Sequence, residues 1–178
     1  MLTLSELRCE HAEAPIGLSL RSPRFSWKLR SDLADTRQAS YRLRVAEVAP
    51  GGEQPLWDSG TVSSADSVLV AIGSRDLKPA TRYRWEIAVS DNHGRTAVSS
   101  DAFETGLGDW STSNAAWISG DPAGASTDGL PSPLMRTSFT LPGNPESARL
   151  HATAQGVYEL SLNGRRIGDD WMTPGWTS

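Results

Sequence analysis

At 178 residues the chain is one ordinary domain or two small ones, and it is too short for a barrel of alternating strands and helices, which takes about 250 residues. Its 17 Lys+Arg against 21 Asp+Glu give a net charge of −4, spread along the chain, which indicates neither nucleic acid nor an anionic membrane as a partner. A content of 38% hydrophobic and 21% charged residues is that of a globular protein, and 16 Gly with 11 Pro exclude a fold built from long helices.

The single cysteine, Cys9, has no intramolecular disulfide partner. It also has no His or Asn at a recognisable catalytic offset, so a small buried hydrophobe is the expected role. The N-terminal MLTLSELRCEHAEAP carries acids where an export signal needs a basic start and an apolar run. No stretch approaches the roughly 18 apolar residues of a spanning helix. The default location is therefore cytoplasmic.

Period-two alternation then dominates. Phe25, Trp27 and Leu29 fall on one face of a predicted strand, as do Tyr41, Leu43 and Val45 of the next. The longest run places Tyr83, Trp85, Ile87 and Val89 inward and sends Arg84 and Glu86 to water, the signature of a half-buried antiparallel strand. Arg42, Arg44, Arg82 and Arg84 all take outward positions. Turn signals separate the runs at Ala49-Pro50-Gly51-Gly52, Asp58-Ser59-Gly60 and Asp91-Asn92-His93-Gly94. About seven strands in this rhythm predict a β-sandwich over residues 1–106.

Residues 107–133 read as a linker rich in Gly, Ser, Asp, Ala and Pro, with Trp110 and Trp117 as docking anchors. Strands are expected again at Leu134–Leu141, Ala148–Ala154 and Val157–Leu162. Asn163-Gly164 predicts a type I′ turn pairing Tyr158–Leu162 with Arg165–Gly168, because both central positions of that turn need positive φ. About four strands are visible in residues 134–178, whereas a two-sheet jelly roll needs eight. The expectation is a partial jelly roll that ends inside a domain, either as a piece of a longer polypeptide or with its remaining strands supplied by the first sandwich or by another copy, through self-association at the exposed strand edges.

Leu77–Ile87 has the form Leu-x-Pro-x-Thr-x-Tyr-x-Trp-x-Ile and resembles the fibronectin type III signature, in which a tyrosine hydroxyl bonds back to upstream backbone. The ordered set LRCEHAEAPIGLSLRSPRFSWKLRS, RQASYRLRVAE, WDSGTVSS, LKPATRYRWEIAVSDNHGR, FETGL and ARLHATAQGVYELSLNGRRIGDDWMTPGWTS is more specific. It resembles the N-terminal region of bacterial α-L-rhamnosidases, glycoside hydrolase family 78, over essentially the whole chain. The resemblance implies an all-β chain: a fibronectin III or immunoglobulin-like sandwich followed by the start of a jelly roll. It further implies an accessory role in a glycosidase that cleaves terminal α-L-rhamnosyl residues with inversion.

Inversion needs two carboxylates about 6.5–9.5 Å apart across a cleft, and in this family they lie on a later helical barrel. No position here matches the catalytic motif, so no catalytic residue is assigned and the chain by itself is expected to be inactive. The partners implied are the remaining domains of the parent glycosidase and, through them, a rhamnosylated substrate.

Trp171 and Trp176 are the candidates for a sugar-stacking platform, set against the commoner role of tryptophan as a core or docking anchor. Asp169 and Asp170 are the candidates for a calcium or sugar-hydroxyl site, but adjacent strand residues face opposite ways and a solvated turn is the preferred reading. His11, His93 and His151 share no metal spacing, and no nucleophile elbow, phosphate loop or dinucleotide fingerprint occurs, so no cofactor is expected. The alternative function is a free-standing carbohydrate-binding or adhesion module.

Overall fold

A computed structural model describes residues 1–18, 21–73, 75–109, 114–120, 132–145 and 147–175. All regular structure among them is β, and no helix among them is long and apolar enough to cross a membrane. The chain divides into two compact units, Met1–Trp117 and Ile118–Ser178.

Among its described residues seven strands build the first unit: β1 (Leu2–Cys9), β2 (Arg24–Ser31), β3 (Gln38–Ala49), β4 (Gly52–Asp58), β5 (Val70–Ala71), β6 (Arg82–Asp91) and β7 (Thr96–Glu104). They form a three-stranded sheet in the order β1-β2-β5 and a four-stranded sheet in the order β4-β3-β6-β7, antiparallel throughout. The core between the sheets comes from the predicted alternation. Phe25 and Trp27 on β2, Leu43 and Val45 on β3, and Tyr83, Trp85, Ile87 and Val89 on β6 are all buried. Burial of each such side chain removes apolar surface from water at roughly 25 cal/mol per Å².

The aromatic side chains interlock. Phe25 packs on Trp85 with ring centroids 4.7 Å apart, and Tyr83 stacks on Phe103 at 5.2 Å. Trp27 keeps its polar edge satisfied: its Nε1–H donates to Gln38 Oε1 at 2.9 Å, while Gln38 Nε2 donates to the carbonyls of Ser64 and Asp66. The motif around Tyr83 forms the expected corner, with the Tyr83 hydroxyl accepting the backbone N–H of Lys78 at 2.9 Å.

Outward residues pair in rows across the four-stranded sheet. Arg42 binds Asp58, Arg44 binds Glu86, and Arg84 binds Glu53. The edges are blunted: β4 carries Pro55 and is bulged at Leu56, opposite Val45 and Ala46, and β1 is bulged between Ser5 and Arg8, where Glu6 takes φ 49°.

The period-two register of β6 runs one step further than its apolar residues, bringing Asp91 inside at 3% exposure. Its carboxylate accepts the backbone N–H groups of His93 and Arg95 and the Arg95 guanidinium. Arg95 reaches on to Asp32, Ser31 and Thr36, which fastens the β6–β7 turn to the β2–β3 loop.

Among its described residues the second unit holds four short strands: β8 (Gly156–Tyr158), β9 (Ser161–Leu162), β10 (Arg165–Arg166) and β11 (Thr173–Gly175). Asn163 and Gly164 have φ of 51° and 78°, and Leu162 pairs with Arg165, as the type I′ reading requires. The hairpin is shorter than expected. Tyr158 pairs with Thr173 of β11 instead of extending the β9–β10 ladder.

Leu134–Leu141 and Ala148–Ala154 are not strands. Alternation records which face would be buried, but a strand forms only when a neighbour completes its ladder. Among the described residues no ladder pairs with either segment, and Leu134, Phe139, Leu141 and Leu150 stand 97%, 67%, 52% and 57% exposed.

Candidate functional site

The candidates Asp169, Asp170 and Trp171 lie on the loop between β10 and β11, and Arg166 organises it. The Arg166 guanidinium donates to the carbonyls of Gly168 (3.0 Å) and Asp170, and lies over the Trp171 ring at 4.0 Å from its centroid. Glu159, 3.7 Å from Arg166 Nε, balances its charge. One cation thus fixes the loop backbone and one face of an indole that is 73% exposed.

This arrangement separates the sequence candidates. The Asp170 backbone carbonyl is engaged by Arg166, and the side chains of Asp169 and Asp170 are exposed. Among the described residues no group of three His, Cys, Asp or Glu side chains is placed to hold a metal ion. Trp171 presents an open aromatic surface beside the guanidinium, which suits the apolar face of a sugar or a neighbouring protein surface. Trp176 and Trp110 lie outside the described residues. Trp117 and Ile118 are 68% and 73% exposed.

Sequence reading missed Arg166. An Arg five residues before a Trp fits no strand or helix period, and only the loop between them, with Gly168 at φ 78°, brings the two together.

The first unit has a shallow cleft of ≈ 390 Å³, lined in part by Leu29, Ser31, Leu33, Thr36, Arg37 and Gln38. The hydroxyls of Ser31 and Thr36 already serve the fold, since they bond each other and both contact Arg95. Cys9 is fully buried, and that burial pushes its thiol up to about 12, with the Glu10 and Asp101 carboxylates adding to the rise. A thiol so protonated is no nucleophile at neutral pH.

Comparison with known proteins joins the two units. Residues 4–109 match the Rha78A-like, N-terminal immunoglobulin domain, and residues 143–178 match the α-L-rhamnosidase N-terminal domain. An α-L-rhamnosidase of Streptomyces avermitilis is 34% identical over 89% of this chain and 18% of its own length; one from Alteromonas sp. is 29% identical over 92% and 19%. The chain therefore spans about a fifth of the length of these curated relatives.

Among solved structures, the Streptomyces avermitilis α-L-rhamnosidase complexed with L-rhamnose superposes with a TM-score of 0.55 at 39% identity, over 60% of this chain and 11% of that one. The native α-L-rhamnosidase of Aspergillus terreus gives 0.64 over 99% of this chain and 20% of that one; at 20% identity it speaks to the fold alone. From its sandwich, its Tyr83 corner and the hairpin at Asn163-Gly164, together with these matches, the chain belongs to the α-L-rhamnosidase N-terminal region family, with a Rha78A-like immunoglobulin domain followed by the rhamnosidase N-terminal domain.

Proposed function

We propose that this chain is the non-catalytic N-terminal part of an α-L-rhamnosidase, serving to brace the portion that carries the inverting carboxylates. The observations that carry this reading are the two family matches, residues 4–109 and 143–178, and alignments to α-L-rhamnosidases that cover about nine-tenths of this chain but only a fifth of theirs. Arg166 spends its donors on its own loop, and the buried carboxylate of Asp91 is held by Arg95. Both serve architecture, not bond cleavage.

Bracing also accounts for the exposed Trp117, Ile118, Leu134 and Phe139, which suit protein contact. Where the chain is expressed alone, exposed Leu134 and Phe139 favour association between copies through residues 134–178. The test is to assay the pure 178-residue chain on aryl α-L-rhamnosides and to measure its oligomeric state by light scattering. The expected result is no turnover and concentration-dependent association. Appreciable turnover overturns the assignment, and a clean monomer at high concentration overturns the association.

A carbohydrate-binding module is the second reading, favoured by one observation: the open face of Trp171 beside the Arg166 guanidinium.

A further inference from the structure

We infer that Asn163 is a site of spontaneous covalent modification, in which the backbone nitrogen of Gly164 attacks the Asn163 side-chain amide and the product dismantles the β9–β10 hairpin. The chain has four asparagines, Asn92, Asn114, Asn144 and Asn163, and each has a different residue on its C-terminal side. Asn144 precedes Pro145, whose nitrogen has no proton to lose. Asn114 precedes Ala115, whose Cβ crowds the attacking nitrogen.

Asn92 is clamped. Its Oδ1 accepts the backbone N–H of Arg37 at 2.8 Å, its Nδ2 donates to the Asp35 carbonyl at 3.1 Å, and the next backbone N–H, that of His93, is bound to Asp91 Oδ1 at 2.9 Å. Both reactants of the cyclisation are occupied there.

Asn163 has none of these protections. It is exposed at the tip of the turn, and the glycine after it adds no Cβ; one built there would meet nothing within 4 Å. The turn is held by two residue pairs, Leu162 with Arg165 and Ser161 with Arg166, and by the bond from Ile167 N–H to the Leu160 carbonyl at 2.8 Å. So short a ladder opens cheaply, which lets the Asn163 backbone reach the geometry of attack.

The chemistry balances without a cofactor. The Gly164 nitrogen gives up its proton and bonds to Asn163 Cγ, the Cγ–Nδ2 bond breaks, and ammonia leaves with that proton. Water then opens the cyclic imide. Addition at Cγ yields aspartate; addition at the main-chain carbonyl yields isoaspartate, which routes the chain through an extra methylene. No atom is oxidised or reduced. The two-residue turn cannot absorb the added atom, so isoaspartate costs the hairpin its register, and either product places a new carboxylate beside Arg165 and Arg166.

The test ages the full chain at neutral pH and physiological temperature, then maps it by tryptic mass spectrometry. Cleavage after Arg149 and Arg165 isolates Asn163 in peptide 150–165, and peptide 85–95 carries Asn92 as the internal control. The expected result is amide-to-acid conversion in 150–165 well ahead of 85–95, part of it labelled by isoaspartyl methyltransferase, with progressive loss of exchange protection at Ile167. The variant Asn163→Gly keeps a residue at ease with positive φ and should show no conversion and no loss of protection. Conversion without isoaspartate would mean direct hydrolysis and overturns the mechanism. An unmodified 150–165 peptide, in the folded chain alone or also in denaturant, overturns the site.

Discussion

The hydroxyl of Tyr83 accepts the backbone N–H of Lys78 at 2.9 Å while its ring stacks on Phe103, so one side chain ties the β5–β6 connection to the core. Thr105 completes the corner: its Oγ1 donates to the Lys78 carbonyl at 2.6 Å and accepts the Thr81 N–H at 3.0 Å. Tyr83→Phe keeps the stack and leaves the Lys78 N–H without its partner in a half-buried setting. The expected destabilisation is about 1–3 kcal/mol, from the desolvation cost of an unmade hydrogen bond. Urea unfolding followed by tryptophan fluorescence reads it, and an unchanged midpoint would show that water replaces the hydroxyl.

Acid should weaken the first unit through Asp91. Burial alone would raise this carboxyl, but the Arg95 backbone N–H, the Arg95 guanidinium and the His93 N–H outweigh it and hold it below its ordinary range. A carboxyl lowered by folding stabilises above its unfolded value and loses that contribution as pH falls through the folded one. Glu10 beside Arg24 and Asp58 beside Arg42 shift the same way and share the acid limb. In Arg95→Ala, Asp91 keeps only its backbone donors. The stability gap between wild type and this variant should be widest near neutrality and narrow below about pH 4. Urea midpoints across that range decide it, and a gap independent of pH contradicts the assignment.

Much of the first unit was legible because its code is local. Tyr83, Trp85, Ile87 and Val89 alternate, and alternation on a sheet with one buried face dictates register. Asp91 sits at the next inward step, yet a polar residue in a turn motif carries no sign of burial until Arg95 is seen folding back on it. In the second unit the Asn163-Gly164 turn was legible because both φ values are set by two adjacent residues. Leu134–Leu141 shows the converse: its alternation is clear, but a strand also depends on a ladder partner, and that lies in no residue of the strand itself. The cation over Trp171 was invisible for the same reason, since Arg166 reaches it only through the loop between them.

Cys9 should resist alkylation in the folded chain. Its side chain is sealed in the core, with the thiol raised to about 12, so both access and thiolate are lacking at neutral pH. Iodoacetamide is expected to label it only in denaturant, at the rate of global unfolding. Rapid labelling under native conditions would mean that the end of β1 frays independently of the sandwich.

Trp171 offers the discriminating test between the two functional readings. Its ring touches the Arg166 guanidinium on one face and is otherwise 73% exposed, so Trp171→Ala should cost about 0.5–1 kcal/mol, the value of an exposed cation–π contact. The change should be confined to the loop, because Arg166 keeps its bonds to the Gly168 and Asp170 carbonyls. In the bracing role the indole waits for a protein surface, and millimolar L-rhamnose should leave its N–H resonance unmoved in a heteronuclear spectrum. A saturable shift that disappears in Trp171→Ala would make the ring a sugar platform and move the carbohydrate-binding reading ahead of the structural one.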